Sequence, residues 1–227
     1  MKIVALIPSF GTDPIRLGHQ KFVTQHYRDR WGMPTVLGTD RKDDFGRFSR
    51  ARAINNAARR AIQTHRDAEA FLVCDNDAVP DADALTEAMG VVLSAGAVTP
   101  HRDILDLTLE ETERFKNTGV LAGGRPRGTN CLGCILVSVK AFKTVNGMDE
   151  LFTGWGAEDN AFVSALERQV GPVARGNAFL THLWHPRDPT IRDRKNLLRN
   201  RRRAKRYANA TPEESRRMSR EYGFLNI

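Results

Sequence analysis

The chain has 227 residues, which is enough for one large domain with a hydrophobic core of its own. Its hydrophobic content of 41% and charged content of 27% are ordinary for a soluble globular protein. No apolar run approaches the roughly 20 residues that a membrane helix needs, which argues against a membrane protein. The net charge of +8 is concentrated in residues 192–206, where nine Lys or Arg less one Asp already give +8. The sequence therefore predicts a neutral body with a basic C-terminal tail.

The cysteines and the first residues of the chain indicate a reducing compartment. Cys74, Cys131 and Cys134 are an odd number, which argues against a disulfide framework. The C-x-x-C pair lacks the second pair that would complete a zinc site, so buried side chains are favoured over a zinc or redox role. The start MKIVALIPSFG becomes polar too soon for a secretion signal and is expected to be a buried strand. We therefore expect a cytoplasmic location.

Short apolar runs alternate with segments of helical periodicity, which predicts an α/β layer structure. The predicted strands are 2–7, 35–38, 70–74, 96–99, 132–138 and 172–181. The predicted helices are 49–64 with Ser49 as N-cap, 82–94, 109–117 with a Thr108–Glu111 capping box, 157–169, and a last helix opened by Thr211 and Pro212. Residues 119–130 are rich in Gly and Arg without periodicity, which fits a loop that closes over a ligand or a disordered connection equally well.

Polar groups follow three of these strands, at the sheet edge where α/β proteins bind ligands. They are the PSFG segment after the first strand, Asp75-Asn76-Asp77 after the third, and His182 and His185 after the last. In a continuing strand the two carboxylates would share one side and repel each other, unless a cation or water lay between them. Carboxylates and a histidine could share a divalent cation such as Mn²⁺, whose natural partner is a diphosphate. A D-x-D triplet alone is more often a polar loop, and a lone His is more often structural.

The segment NGMDELFTGWGAEDNAF, residues 146–162, places Trp155 between Gly154 and Gly156, with Glu158 and Asp159 at the start of a predicted helix. The glycines permit unusual backbone angles, and the indole offers a flat face on which a sugar ring can stack. Acids in a first helical turn can simply complement the helix dipole. An indole with two acids beside it suits carbohydrate recognition better.

Three blocks, in this order, resemble glycosyltransferases of the GT-A fold, above all the β-1,4-galactosyltransferases, chondroitin polymerases and polypeptide N-acetylgalactosaminyltransferases. FSRARAINNAARRA and FLVCDNDAVP resemble the F-N-R-A-K-x-x-N block and the D-x-D strand, CLGCILVSVKAFKTVNGMDELFTGWGAEDNAF resembles the acceptor-side block ending in W-G-x-E-D, and HLWHPRD resembles the stretch with the metal-binding histidine. The resemblance covers roughly residues 45–190. It implies a GT-A domain over residues 1–190 with a Rossmann-like, mostly parallel sheet flanked by helices, and a basic helical extension, 191–227, packed on it.

The resemblance implies a metal-dependent glycosyltransferase that moves a sugar from a UDP donor to an acceptor hydroxyl with inversion. The implied nucleotide- and donor-binding residues are Pro8, Ser9, Phe10, Phe48, Arg50, Asp75, Asn76 and Asp77. The implied acceptor residues are Gly133, Trp155, Gly156 and Glu158, with Asp159 as general base. The implied ligands of Mn²⁺ or Mg²⁺ are Asp77 and His185, with Asp75 and His182 as further candidates. Two departures are the absence of an Arg-rich ending after the first strand and Gly133-Cys134 in place of paired glycines.

Two other functions stay open on the sequence. A nucleic-acid-binding protein could use the basic tail to bind phosphates by counterion release, and the acceptor itself could be a glycan, a protein or a modified nucleic acid. A nucleotidyltransferase would share the sheet and the carboxylates but would not need GWGAED. In the tail, Leu197, Leu198, Ala204 and Tyr207 predict a narrow docking stripe, hence an amphipathic helix whose outward charge binds polyanions weakly and in a salt-sensitive manner.

Overall fold

The computed structural model of the chain describes residues 1–9, 13–40, 47–128, 133–186 and 193–224. Its strands are β1 (Ile3–Pro8), β2 (Thr35–Gly38), β3 (Ala70–Cys74), β4 (Ala78–Pro80), β5 (Ala97–Asp106), β6 (Arg125–Pro126), β7 (Cys134–Ser138) and β8 (Ala174–His182). Its helices are α1 (Pro14–Trp31), α2 (Arg50–Thr64), α3 (Ala82–Ala95), α4 (Leu109–Thr118), α5 (Val139–Thr144), α6 (Glu158–Gln169), α7 (Arg194–Asn209) and α8 (Pro212–Tyr222).

The strands form one sheet in the order β2-β1-β3-β7-β5-β8-β4, with β6 paired to β5. Both faces of β1 are buried, because alternate residues face opposite helical layers. Val4 and Leu6 pack with α2, α5 and α6, whereas Ala5 and Ile7 pack with α1 and α3. The approach of α2 to β2 requires a glycine, because a Cβ on Gly38 would lie 1.8 Å from the carbonyl oxygen of Ala53.

The sheet is mixed, which differs from the mostly parallel sheet expected within the α/β class. In the described parts of the chain, β1 pairs in parallel with β2 and β3, and β5 pairs in parallel with β8, but β7 runs antiparallel to both β3 and β5. Strand β4 is also antiparallel to β8. Because β7 is buried along its whole length, its residues carry the same apolar pattern that a parallel strand would. Its direction therefore could not be read from its composition.

Most predicted elements are confirmed, with shifts of one or two residues at their ends. Ser49 caps α2 by accepting a hydrogen bond from the amide of Arg52, and capping boxes open α4 and α8. Helices α1 and α5 and strands β4 and β6 were not predicted, and β5 continues to Asp106 past two irregularities in its register. Among the described residues, no helix combines the length and apolar character needed to span a membrane.

The basic segment contains α7, whose buried face is more polar than the sequence predicted. Ala204 and Tyr207 join the hydrophobic core, as the docking stripe predicted, but Leu198 is 45% exposed and Asn196 and Asn200 are buried instead. Arg203 also belongs to the inward face, since its Nε lies 2.6 Å from Oδ2 of Asp149. The division of the chain at residue 190 stays a prediction, as does the role of the surplus charge.

Candidate functional site

The Asp75-Asn76-Asp77 segment is a turn between β3 and β4, not a continuing strand. The amide of Ala78 donates to the carbonyl of Asp75 across this turn, at 3.3 Å. The turn directs the two carboxylates to different partners, so their negative charges do not share one side as they would in a continuing strand. Asp75 faces an arginine of α2, and Asp77 faces two histidines at the end of β8.

Asp77, His182 and His185 form a cluster that can hold a metal ion. One ligand atom from each lies within 4.8 Å of the other two. The separation is 3.3 Å between Nε2 of His185 and Oδ2 of Asp77, and 3.8 Å between Nε2 of His182 and Oδ1. Burial lowers the pKa of His185, which favours the neutral imidazole that metals bind. Asp75 lies outside this cluster, whereas His182 belongs to it.

Arg16 of α1 lies within the same cluster. Its Nη1 is 3.2 Å from Oδ2 of Asp77, and its Nη2 is 3.1 Å from Nδ1 of His185. The guanidinium therefore brings a positive charge to the carboxylate and the imidazole that could otherwise bind a cation. Because α1 was not predicted, Arg16 was missed. The motif signal that could have found it is the Asp13-Pro14 start, an N-cap followed by Pro at the first helical position.

The two histidines are held by surrounding groups. Nδ1 of His182 lies 3.1 Å from Oδ1 of Asp106, a carboxylate that also accepts a hydrogen bond from Arg127. Burial raises the pKa of Asp106, but the hydrogen bonds from His182 and Arg127 outweigh it and hold that pKa well below its usual range. Next to His185, the carbonyl of Trp184 accepts a hydrogen bond from Nε2 of His19 at 2.7 Å. Such contacts fix ring orientation in metal sites, and sequence reasoning identified none of these supporting residues.

Arg50 joins the end of β3 to the start of α6. Its Nε donates to Oδ1 of Asp75 at 2.5 Å, its Nη1 donates to Asp159, and the same nitrogen lies 4.0 Å from Oε1 of Glu158. Burial disfavours the charge on Arg50, but the three carboxylates outweigh it and raise its pKa. The single positive charge of Arg50 thus faces three carboxylates and does not fully offset their mutual repulsion, which affects the pKa of two of them.

Burial and the neighbouring carboxylates, opposed by Arg50, raise the pKa of Asp75 to about 6 and that of Glu158 to about 7. Oε2 of Glu158 is buried and accepts no hydrogen bond from the described residues. A cluster of acids with pKa values raised toward neutrality is typical of a functional site.

The loop before α6 presents Trp155 to solvent, with 52% of the side chain exposed. Gly154, Gly156 and Ala157 have φ angles of 65°, 102° and 73°, so three of four consecutive residues have left-handed backbone. Such a conformation is disfavoured for Ala157, and strain of this kind is concentrated in functional sites. The predicted start of a helix at Glu158 and Asp159 is confirmed.

The other predicted site residues lie around the same sheet edge. Pro8 ends β1, and the amide of Ser9 donates to the carbonyl of Gly38 at 2.7 Å. The carbonyl of Gly133 accepts from the amide of Asp75 at 2.9 Å, and the carbonyl of Phe48 accepts from the amide of Gly154 at 2.8 Å. Asn76 is buried within the turn. Phe10 lies outside the described residues, so its predicted donor contact stays a prediction.

Comparisons with known proteins bear on the family and on the fold. Residues 115–186 match the family model described as the N-terminal domain of galactosyltransferase, a span that includes β7, the Trp155 loop and both histidines. No curated protein matches the chain.

Two solved structures of Drosophila β-1,4-galactosyltransferase 7 are similar in fold. The catalytic domain in complex with xylobiose is 23% identical with a TM-score of 0.52, and a point mutant in complex with manganese, UDP-Gal and xylobiose is 21% identical with a TM-score of 0.51. Each comparison covers 82% of this chain and 72% of the other. These likenesses establish the GT-A fold, and residues 115–186 are similar to the N-terminal domain of galactosyltransferase.

Proposed function

We propose that the protein transfers a sugar from a UDP-sugar donor to the hydroxyl group of an acceptor, with inversion and with Mn²⁺ or Mg²⁺ as cofactor. The observation that carries this proposal is the convergence of Asp77, His182 and His185 within 4.8 Å at the sheet edge, beside the carboxylate cluster at the start of α6. A buried carboxylate with two imidazoles is a donor set that accepts Mn²⁺.

The fit of a cation is supported by the side chains themselves, because Asp77 is 4% exposed and faces two imidazoles that carry nitrogen ligands. The guanidinium of Arg16, which contacts Asp77 and His185 here, would have to move from these ligand atoms when the ion binds. Asp77, His182 and His185 would hold the ion, with Asp106 fixing the ring of His182. When bound, the ion supplies charge to stabilise a diphosphate leaving group.

The donor would lie between the first strand and the Arg50 cluster. Pro8, Ser9 and Phe48 would line the nucleotide pocket, and Arg50, Asp75 and Asn76 would contact polar groups of the donor. A UDP-sugar donor is supported by the Drosophila β-1,4-galactosyltransferase 7 structure, which contains manganese and UDP-Gal. Arg16 takes the place of the Arg-rich ending that β1 lacks, because α1 brings a cation to the same edge of the sheet.

The acceptor would stack on Trp155, with Gly133, Gly156 and Glu158 around it, and Asp159 would accept the proton of its hydroxyl. Asp159 lies in the first turn of α6 and is 23% exposed, so one of its oxygens can reach a ligand while the other accepts a hydrogen bond from Arg50. A single in-line displacement needs such a base and inverts the anomeric centre. A relative crystallised with xylobiose supports a glycan acceptor.

A second candidate function is weak polyanion binding by α7, and one observation favours it. Seven of its basic side chains are exposed and pair with no acidic side chain in the described part of the chain. They are Arg194, Lys195, Arg199, Arg201, Arg202, Lys205 and Arg206, of which Arg199 donates to Thr153. Unpaired cations at this density attract phosphates or sulfates by counterion release.

The test of the main proposal is nucleotide release from a set of nucleotide sugars, with Mn²⁺ or with EDTA, in the presence of xylobiose and p-nitrophenyl glycosides. We expect acceptor-stimulated UDP release only with metal. In Asp159→Asn, turnover should fall by about 10²- to 10⁴-fold while Mn²⁺–UDP binding survives. Asp83→Asn is the matched control, because Asp83 also lies in a first helical turn but is exposed and contacts neither Arg50 nor the two histidines. Near-normal turnover of Asp159→Asn would reject the base, and metal-independent release would reject the cofactor.

A further inference from the structure

Two buried asparagines of α7 hold the loop that carries Trp155. The carbonyl of Thr153 accepts a hydrogen bond from Nδ2 of Asn200 at 3.0 Å and another from Nδ2 of Asn196. Asn196 and Asn200 are 4% and 1% exposed, on the inward face of α7. Both lone pairs of one loop carbonyl are therefore used by a helix that lies more than 40 residues later in the chain.

The glycines of the loop also pack against α7. A Cβ on Gly154 would lie 2.6 Å from Nδ2 of Asn196, and a Cβ on Gly156 would lie 2.9 Å from Cδ1 of Leu197. Both glycines have positive φ, so the loop has the conformation and the space that only glycine allows at these two points. The indole of Trp155 is directed to solvent between these two contacts with the helix.

Apart from α7, the loop is held by the residues just before α2: the amide of Gly154 donates to the carbonyl of Phe48 at 2.8 Å, and the hydroxyl of Ser49 donates to the carbonyl of Phe152 at 2.7 Å. Ala157 is the N-cap residue of α6 but makes no side-chain capping bond, and its own backbone is left-handed. Arg199 adds a third contact from α7, because its Nη2 donates to Oγ1 of Thr153 at 2.7 Å. By contrast, the proposed metal ligands are carried by the β3–β4 turn and by the end of β8, and their described contacts lie among themselves and with other elements.

We infer that Asn196 and Asn200 are positioning residues, through which the basic helix α7 holds Trp155 in the geometry that binds the acceptor. On this inference the two asparagines take no part in donor binding. The inference rests on the proposed acceptor role of Trp155. It predicts that α7 contributes to the affinity for the acceptor, independently of any ligand that its outward-facing charged side chains bind.

The direct test compares Asn200→Ala and Asn200→Asp with the native chain by hydrogen–deuterium exchange. The aspartate has the size of asparagine but no N–H to donate. Loss of one hydrogen bond should speed exchange of the amides in residues 151–157 by roughly 3- to 10-fold. Exchange in β1, β3 and β8 should not change. Asn209→Ala is the matched control, because Asn209 is exposed at the end of the same helix. A uniform increase over the whole chain, or no increase in the loop, would overturn the inference.

Two further measurements separate this inference from the proposed function. Calorimetric titration with Mn²⁺ and UDP should give the same affinity for both Asn200 variants as for the native chain. With an acceptor glycoside that stimulates UDP release, KM for that glycoside should rise roughly 3- to 10-fold with kcat within about twofold. A fall in kcat at constant KM would contradict acceptor positioning. If the native chain itself does not bind Mn²⁺–UDP, the proposed function fails, while the exchange data still decide whether α7 holds the loop.

Discussion

The raised pKa of Glu158 gives the site a measurable signature in the pH dependence of stability. Glu158 shares Arg50 with Asp75 and Asp159, and its buried Oε2 accepts no hydrogen bond from the described residues. In the folded protein its pKa is about 7, compared with an ordinary value of 4.5. Replacing Glu158 with Gln removes the titration but keeps the shape of the side chain.

The sign and size of the effect follow from proton linkage. Between pH 4.5 and 7 the folded protein retains a proton that the unfolded chain releases, so Glu158 contributes stability that is complete below pH 4.5 and is lost as the pH rises through 7. At about 1.4 kcal/mol per pH unit, the loss is roughly 3 kcal/mol. This is an upper figure, because Arg50 and the neighbouring acids adjust to the charge.

The assay is urea unfolding of the metal-free protein, followed by circular dichroism from about pH 4.5 to 8. The free energy of unfolding of the native chain, minus that of Glu158→Gln, should fall by roughly 2–3 kcal/mol over this range. Glu167→Gln, an exposed position on the same helix, should leave the difference flat. A constant difference between the native chain and Glu158→Gln would show that Glu158 ionises normally and would refute the reasoning.

Three further predictions concern the metal, the acceptor and the basic helix. Asp77→Ala should abolish Mn²⁺-dependent UDP binding with a modest change in stability, and unchanged affinity in calorimetry would reject the metal site. Trp155→Ala should raise KM for the acceptor by about tenfold, from lost stacking, without weakening UDP binding; an equal loss of both would assign the indole to the donor. Neutralising Arg201, Arg202 and Lys205 together should lower the slope of log affinity for DNA or heparin against log salt by up to about 3 and leave UDP release intact. An unchanged slope would remove these side chains from any polyanion surface, and Arg203 is kept because it pairs with Asp149.

The parts of the site that lie on strongly patterned elements could be predicted from the sequence. Asp75 and Asp77 follow a buried strand of five apolar residues, and Asp159 begins a helix with regular apolar spacing, so both places were found. Strand β4 after the Asp75–Asp77 turn was not found, because the three apolar residues Ala78–Pro80 are too few to indicate a separate strand. Only the pairing of β4 with β8 shows that the chain has changed direction.

Hydrophobic periodicity did not indicate the helix of Arg16, for a different physical reason. Helix α1 buries only His19, Val23 and Tyr27 among its eighteen residues, and one of the three is polar. The spacing of four residues matches a helix. Three positions, one of them polar, are nevertheless too few to give a helical period in the hydrophobicity of the sequence. The asparagines of α7 were missed in the same way, because an amide that satisfies a buried carbonyl has no signature in an apolar pattern.

Strand β4 is three residues long and lies at the edge of the sheet, where β8 is its strand partner. The proposed cation would bind Asp77 immediately before β4 together with His182 and His185 at the end of β8. It would therefore cross-link these two strands at the edge of the sheet. A ligand that binds only the folded protein, present at about a hundred times its Kd, stabilises it by about 2.7 kcal/mol. Metal supply would then raise the stability of the protein as well as its activity, whereas the contacts of Arg16 with Asp77 and His185 hold this edge without the ion.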